Sequence, residues 1–176
     1  MSQQLNDPAT AKNDRNILSS ARAKYKSGDY PGAIVEYTLA IEINSNNASA
    51  FCFRGTAYYK TYDLQNAMAD YNRSILLDPL APIIYYRRGS LHHTMNNYSG
   101  AIADFNRAIS LRPDFALAYS NRGHSYKELY GDPEALIDWR YAAKLFKEQG
   151  NLEKYRATIQ IIDEVTGIDS SASGML

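Results

Sequence analysis

The sequence has a single cysteine and no net charge, and each of these two features argues against a class of protein. Cys52 is the single cysteine among 176 residues, so the chain can form neither an intramolecular disulfide nor a cysteine-based zinc site. The 19 basic residues balance 19 acidic ones. This balance argues against a general nucleic-acid binder, because such proteins normally carry an excess of positive charge.

Long apolar runs are missing as well. The apolar stretches are only a few residues long, whereas a helix needs about 20 apolar residues to cross a bilayer. Residues 1–10 are polar and lack the basic start and apolar centre of a secretion signal. We therefore expect no membrane span and a reducing, cytoplasmic compartment.

What the sequence does contain is a period of 34 residues. An aromatic residue follows each repeated alanine by four positions, and an acidic residue directly precedes each of these aromatics. Agreement at so many positions is not coincidental, so the chain is a repeat protein. The repeated glycines and alanines are Gly55, Gly89 and Gly123, and Ala33, Ala67, Ala101 and Ala135.

Each repeat is predicted to form two amphipathic helices that are joined by a short break. In the second repeat, Phe51, Gly55 and Tyr58 share one face of the first helix, while Ala67 and Tyr71 share one face of the second. Glycine inside a helix costs about 1 kcal/mol relative to alanine. The repeated glycine therefore indicates a close approach, which we expect to be to the alanine of the partner helix.

Charged residues repeat in the same register. An arginine precedes each glycine, and the acidic residue precedes each aromatic. Residues that recognise a ligand would rarely recur unchanged in every repeat. We therefore expect bidentate arginine–carboxylate pairs that hold the helices together. The arginines are Arg54, Arg88 and Arg122, and the carboxylates are Asp70, Asp104 and Asp138.

The pattern aromatic-x-x-Arg-Gly-x-x-Tyr, followed by Ala-x-x-x-aromatic and then proline, resembles the tetratricopeptide repeat (TPR), and in detail the stand-alone bacterial, cyanobacterial-like members. The resemblance implies an all-α fold, a right-handed α-solenoid of four helix-turn-helix repeats of 34 residues plus a C-terminal capping helix. It places a TPR domain at 14–167, between a disordered segment at 1–13 and a flexible tail at 168–176. The repeats are expected at 14–47, 48–81, 82–115 and 116–149, and the capping helix at 151–166.

The residues give no sign of an enzyme. The repeated glycines lie inside predicted helices and therefore form no phosphate-binding loop. His92, His93 and His124 are the only histidines, and no carboxylate stands at a metal-ligand spacing from them. We expect no catalytic residue, no metal and no cofactor.

The resemblance implies a function on the concave surface, which the first helix of each repeat lines in this family. The residues predicted there combine tyrosines, small hydroxyls and a modest excess of cations. They suit a protein or peptide partner, either extended or helical, whose identity stays open. They are Arg22, Tyr25, Lys26, Cys52, Thr56, Tyr59, Lys60, Tyr86, Ser90, His93, Ser120, His124 and Lys127.

One specialisation of the family does not match. Members that hold the acidic tails of chaperones use a Lys/Asn/Asn/Lys/Arg carboxylate clamp, but the positions counted from the first repeat carry Leu18, Arg22, Phe53, Ile83 and Arg87. We therefore expect no chaperone carboxylate clamp. We expect a non-catalytic scaffold or assembly factor, by analogy with bacterial members linked to the assembly of membrane complexes. The alternatives are a self-associating homodimer that pairs through its end helices, and an RNA-binding helical repeat whose affinity would depend strongly on salt.

Overall fold

The computed structural model describes residues 8–168, with side chains from residue 15 onwards. This part of the chain contains helices and no strand. The expectations for residues 1–7 and 169–176 lie outside it. The helices are α1 (Pro8–Lys26), α2 (Tyr30–Ile43), α3 (Ala48–Lys60), α4 (Leu64–Leu77), α5 (Pro82–Thr94), α6 (Tyr98–Leu111), α7 (Ala116–Tyr130), α8 (Asp132–Glu148) and α9 (Leu152–Thr166).

The all-α helical-repeat fold is confirmed. Two helices occupy each 34-residue repeat, and α9 follows them where the capping helix was predicted. Helix α1 begins at Pro8, inside the segment at 1–13 for which the sequence predicts disorder. Proline fits a first helical turn, because the N–H that it lacks would have no intrahelical partner there.

Residues 8–168 pack as two compact units, which divide between Leu91 and His92. Unit one contains α1 to α4 and most of α5. Tyr37 and Tyr71 are fully buried in its core, which is otherwise built mainly from alanines and from two α5 residues, Ile84 and Leu91. Unit two contains α6 to α9, and Trp139 is fully buried there between Ala135, Ala143 and Ile162.

Gly55 and Gly123 face aromatic rings first, which corrects the expectation that the repeated glycines face the repeated alanines. A Cβ atom added to Gly55 would lie 3.1 Å from two ring carbons of Tyr71. A Cβ added to Gly123 would lie 2.7 Å from Trp139 Nε1, and 3.2 Å from the carbonyl oxygen of Ala135. At both positions the glycine thus makes room for the bulky aromatic, and at Gly123 the alanine carbonyl is a second neighbour.

The turns between paired helices follow the repeat. Gly28, Tyr62 and Asn96 stand in one register, and each has a positive φ, at 86°, 64° and 57°. The next residue in each turn caps the second helix: the side chains of Asp29, Asp63 and Asn97 accept hydrogen bonds from backbone N–H groups of α2, α4 and α6. These caps satisfy donors that would otherwise have no partner.

Candidate protein-interaction site

The repeated arginines are occupied by structural contacts. Arg54 donates two hydrogen bonds to Asp70, each of 2.8 Å, and a third to the Thr38 hydroxyl at 3.1 Å. It thereby connects α2, α3 and α4. The predicted role of this pair as a bidentate link between helices is confirmed.

The same arrangement recurs in unit two. Arg122 donates to both carboxylate oxygens of Asp138, at 2.7 and 2.6 Å, and to Asn106 Oδ1 at 2.5 Å. In unit one, Arg88 donates to Asn72 Oδ1 at 2.7 Å, which is the same contact one repeat earlier. These guanidinium groups therefore hold neighbouring repeats in register.

Two other arginines in unit one lie against an aromatic ring. The Cζ atoms of Arg22 on α1 and Arg87 on α5 lie 5.4 and 5.6 Å from the ring centroid of Phe53 on α3. The ring of Tyr37 stacks on Phe53 with centroids 5.9 Å apart. Arg87 Nη1 also donates to Thr56 Oγ1 at 3.1 Å. We call Arg22, Phe53 and Arg87 the Arg–Phe–Arg cluster.

The cluster includes two residues that were not among the predicted groove positions. In the sequence, Phe53 and Arg87 stand out only as mismatches to the carboxylate clamp. Their spacing of 34 residues was the signal that could have found them, because it places them at one register of neighbouring first helices. A small cavity of about 130 Å³ lies beside them, lined by both residues and by Cys52 and Ile84.

Two predicted groove residues are buried in the core of unit one. The Thr56 hydroxyl donates to the Cys52 carbonyl at 2.8 Å and accepts from the Tyr71 hydroxyl at 3.3 Å. Burial raises the pKa of Cys52 to about 11, so its thiol is protonated at neutral pH. Cys52 and Thr56 thus contribute to packing rather than to an open surface.

The other predicted residues of unit one are accessible to different degrees. The three cations are exposed, while the tyrosines and the serine are half-buried. The half-buried rings pack partly against the core, as Tyr25 and Tyr59 do. The exposed cations are Arg22, Lys26 and Lys60, and the half-buried residues are Tyr25, Tyr59, Tyr86 and Ser90.

In unit two the structure brings two predicted histidines close together. His93 Nδ1 lies 3.0 Å from Ser125 Oγ, whose hydroxyl donates to the Asn121 carbonyl at 3.1 Å. Because that hydroxyl has one proton, His93 Nδ1 is the donor of the pair. The pKa of His124 is lowered by burial and then by the nearby charge of His93 and of Lys127.

The remaining predicted residues lie on the same helix, α7. Ser120 is half-buried, and its carbonyl accepts a hydrogen bond from the indole N–H of Trp139 at 3.2 Å. Lys127 is exposed and lies 3.5 Å from Asp132. Within residues 15–168, no three His, Cys, Asp or Glu side chains are placed to hold a metal ion. Over residues 8–168, no helix is both long enough and apolar enough to span a membrane.

Comparison with known proteins agrees with this geometry. A family model described as Tetratricopeptide repeat matches residues 55–124, and another described as TPR repeat matches residues 21–61. No curated protein matches the chain in sequence. The fold and the repeats define an all-α helical-repeat protein of the solenoid class. The chain belongs to the tetratricopeptide repeat family, a family of protein–protein interaction modules.

Solved structures show the same fold. The Arabidopsis OM64 TPR domain is 28% identical, with a TM-score of 0.66, and the match covers 68% of this chain and 99% of that one. MamA is 19% identical, with a TM-score of 0.69, covering 94% and 97% of the two chains. The TPR2B domain of yeast Sti1, solved in a complex with pHsp70, is 24% identical, with a TM-score of 0.64 and coverage of 68% and 96%.

Proposed function

We propose that the chain is a non-catalytic, cytoplasmic scaffold or assembly factor. It binds an acidic segment of a partner protein on the surface formed by the first helix of each repeat. The Arg–Phe–Arg cluster of unit one is the observation that carries this proposal. Among residues 15–168, no carboxylate forms an ion pair with Arg22 or Arg87. The repeated Arg54 and Arg122, by contrast, each have a bidentate acidic partner.

The geometry of the cluster favours a carboxylate ligand. Two guanidinium groups lie against the Phe53 ring, which attracts cations but does not neutralise them. Arg87 Nε is buried without a hydrogen-bond partner in the described part of the chain. A partner carboxylate would supply the missing charge, and its hydrogen bonds to arginine would be charge-assisted.

The solved relatives support a protein partner for the proposal without identifying it. The TPR2B domain of yeast Sti1 was solved in a complex with pHsp70. In the present chain the cluster replaces the residues of the carboxylate clamp, so we propose an acidic partner other than a chaperone tail. The outer face of α9 is mainly polar, with Glu153, Arg156, Gln160 and Glu164 exposed and Leu152 as its single large exposed apolar residue, so this end helix gives little support to the homodimer alternative.

The test is a comparative pull-down from source-cell lysate, with mass spectrometry as the readout. The baits are the wild type, Arg22→Glu, and the matched control Arg73→Glu. Arg73 is an exposed arginine on α4, the second helix of its repeat. Its Cζ atom lies 5.9 Å from the ring centroid of Phe51, so it too packs against a phenylalanine. Circular dichroism of each bait confirms that it is folded.

We expect one or more proteins to bind the wild type and Arg73→Glu but not Arg22→Glu. A peptide scan of such a protein should then locate binding in an acidic segment, with an affinity that falls as salt rises. If all three baits retain the same proteins, or if the bound segment is not acidic, the proposal is refuted.

A further inference from the structure

Helix α8 in unit two carries a basic ridge between two apolar grooves. The ridge consists of Arg140, Lys144 and Lys147, which are all exposed. One groove, of about 540 Å³, is lined by Tyr119, Ile137 and Tyr141 together with Arg140 and Lys144. We call it the α7-side groove.

The second groove lies on the other side of the ridge. It has a volume of about 440 Å³ and is lined by Tyr155, Ile159 and Ile162 of α8's neighbour α9. Arg140 and Lys144 line this groove as well as the first one. The two grooves therefore form a continuous surface, in which two apolar depressions lie on either side of positive charge.

Two of the apolar side chains of the α7-side groove, Ile137 and Tyr141, are not required by the repeat fold. Ile137 is 70% exposed, whereas the same register holds alanine at positions 69 and 103. Tyr141 stands where the two preceding repeats hold arginine, at positions 73 and 107. The large apolar groups thus replace smaller or charged ones at surface positions, and exposed apolar groups of this kind mark interaction sites.

The charge of the ridge is only partly balanced. Asp138, two residues before Arg140 on the helix, is bound to Arg122. Lys144 lies 3.8 Å from Glu148 in a pair that is more than half exposed at both ends, and such pairs contribute little. Within residues 15–168, Arg140 and Lys147 form no ion pair, so the ridge remains electropositive.

We propose that this surface binds an acidic segment of a partner protein, with carboxylates over the ridge and one apolar side chain in each groove. The grooves lie on opposite sides of a helix, so the two apolar side chains must be about 10 Å apart. This separation corresponds to about three residues of an extended chain. A flat bilayer surface fits less well, because Tyr119, Ile159 and Ile162 are half-buried or buried at the floor of the grooves, and Ile137 is the more exposed apolar group beside them.

The experiment uses a phage library of random 16-residue peptides, selected on the full chain and counter-selected on the double variant Ile137→Ala/Lys144→Glu. Selected peptides are then labelled with fluorescein, and their Kd values are measured by anisotropy. Ile137→Ala restores the residue of the two preceding repeats, so it leaves the fold intact. The controls are Val35→Ala, which changes the same register of the first repeat at 59% exposure, and Arg156→Glu on the polar face of α9.

We expect peptides rich in Asp and Glu, with apolar residues on both sides of the acidic ones. Lys144→Glu should weaken their binding about tenfold or more, and Ile137→Ala several-fold, while both controls and Arg22→Glu leave it unchanged. Since Arg22→Glu tests the surface of unit one, the two proposals fail independently.

Three outcomes would overturn the inference. The selection could return no peptide that depends on both Ile137 and Lys144, or only peptides without acidic residues. Alternatively, phosphatidylserine vesicles could bind the wild type and lose binding with Lys144→Glu, while no peptide does so. The last result would assign the surface to a membrane instead of a protein.

Discussion

Replacement of Gly123 by alanine tests the packing that explains the repeated glycines. The added methyl group would lie 2.7 Å from Trp139 Nε1 and 2.8 Å from Trp139 Cδ1, closer than such atoms approach in proteins. The indole has no free space, because Trp139 is fully buried. Either the ring or helix α7 must therefore move.

The expected loss of stability follows from three contributions. Overpacking of a core costs about 1–3 kcal/mol. Displacement of the indole would also break its hydrogen bond to the Ser120 carbonyl, a loss of about 1 kcal/mol. Alanine regains about 1 kcal/mol of helix propensity over glycine. We therefore expect Gly123→Ala to lower the free energy of unfolding by about 1–3 kcal/mol.

Gly55→Ala is the informative comparison. Its added Cβ would lie 3.1 Å from the Tyr71 ring and from Asp70 Cβ, so a shift of a few tenths of an ångström relieves the contact. The free-energy cost of this contact should nearly cancel the gain in helix propensity, so Gly55→Ala should be about as stable as the wild type. Ala103→Gly, at an exposed position of α6, measures the difference in helix propensity between alanine and glycine in this protein. We expect it to lower the free energy of unfolding by about 1 kcal/mol.

The assay is urea unfolding, followed by far-ultraviolet circular dichroism and by the fluorescence of Trp139, the single tryptophan of the chain. The fluorescence should shift in Gly123→Ala, since the surroundings of the indole change whether the ring or helix α7 moves, and should stay unchanged in Gly55→Ala. If Gly123→Ala is as stable as the wild type, or less destabilising than Gly55→Ala, the explanation of the glycines as space for aromatic rings is wrong.

Three further predictions concern other contacts. Asp70→Leu should destabilise by about 3 kcal/mol, because it leaves Arg54 partly buried without its partner, and the double variant Arg54→Leu/Asp70→Leu should recover much of the loss in urea unfolding. Asn97→Ala removes the cap of α6 and should cost about 1 kcal/mol in thermal unfolding. The raised pKa of Cys52, about 11 against an ordinary 9.0, means that the native state binds more protons between these values. Stability should therefore fall as pH rises from about 9 to 11, with a smaller slope in Cys52→Ala.

The helices could be predicted from the sequence because their signals are local. Apolar residues recur with a helical period, and breaks such as Gly28-Asp29 and Asp78-Pro79 separate the helices. The pairs of Arg54 with Asp70 and of Arg122 with Asp138 were also predictable, since the same residues recur at one spacing. Repetition thus reveals which residues the fold itself uses.

The contacts between repeats were harder to predict, because they depend on how side chains point across neighbouring helices. Cys52 and Thr56 lie one helical turn apart on α3 and were expected to line a surface. Cys52 instead packs in one core cluster with Ile84 and Leu91 of α5. Thr56 accepts a hydrogen bond from Arg87, which is also on α5. Residues of the following repeat bury Cys52 and Thr56, and the sequence of α3 alone does not show which residues cover it.

A distinction between structural and functional residues follows from these contacts. In a repeat protein each unit packs only on its neighbours, so residues that stabilise packing must recur at the same register. Arg54 and Arg122 recur and have acidic partners. Arg22 and Arg87 do not recur and lack an acidic partner within residues 15–168. Ile137 and Tyr141 are exposed where the two preceding repeats hold alanine and arginine. Selection for stability alone would not maintain such departures, so we propose partner binding as the reason for them.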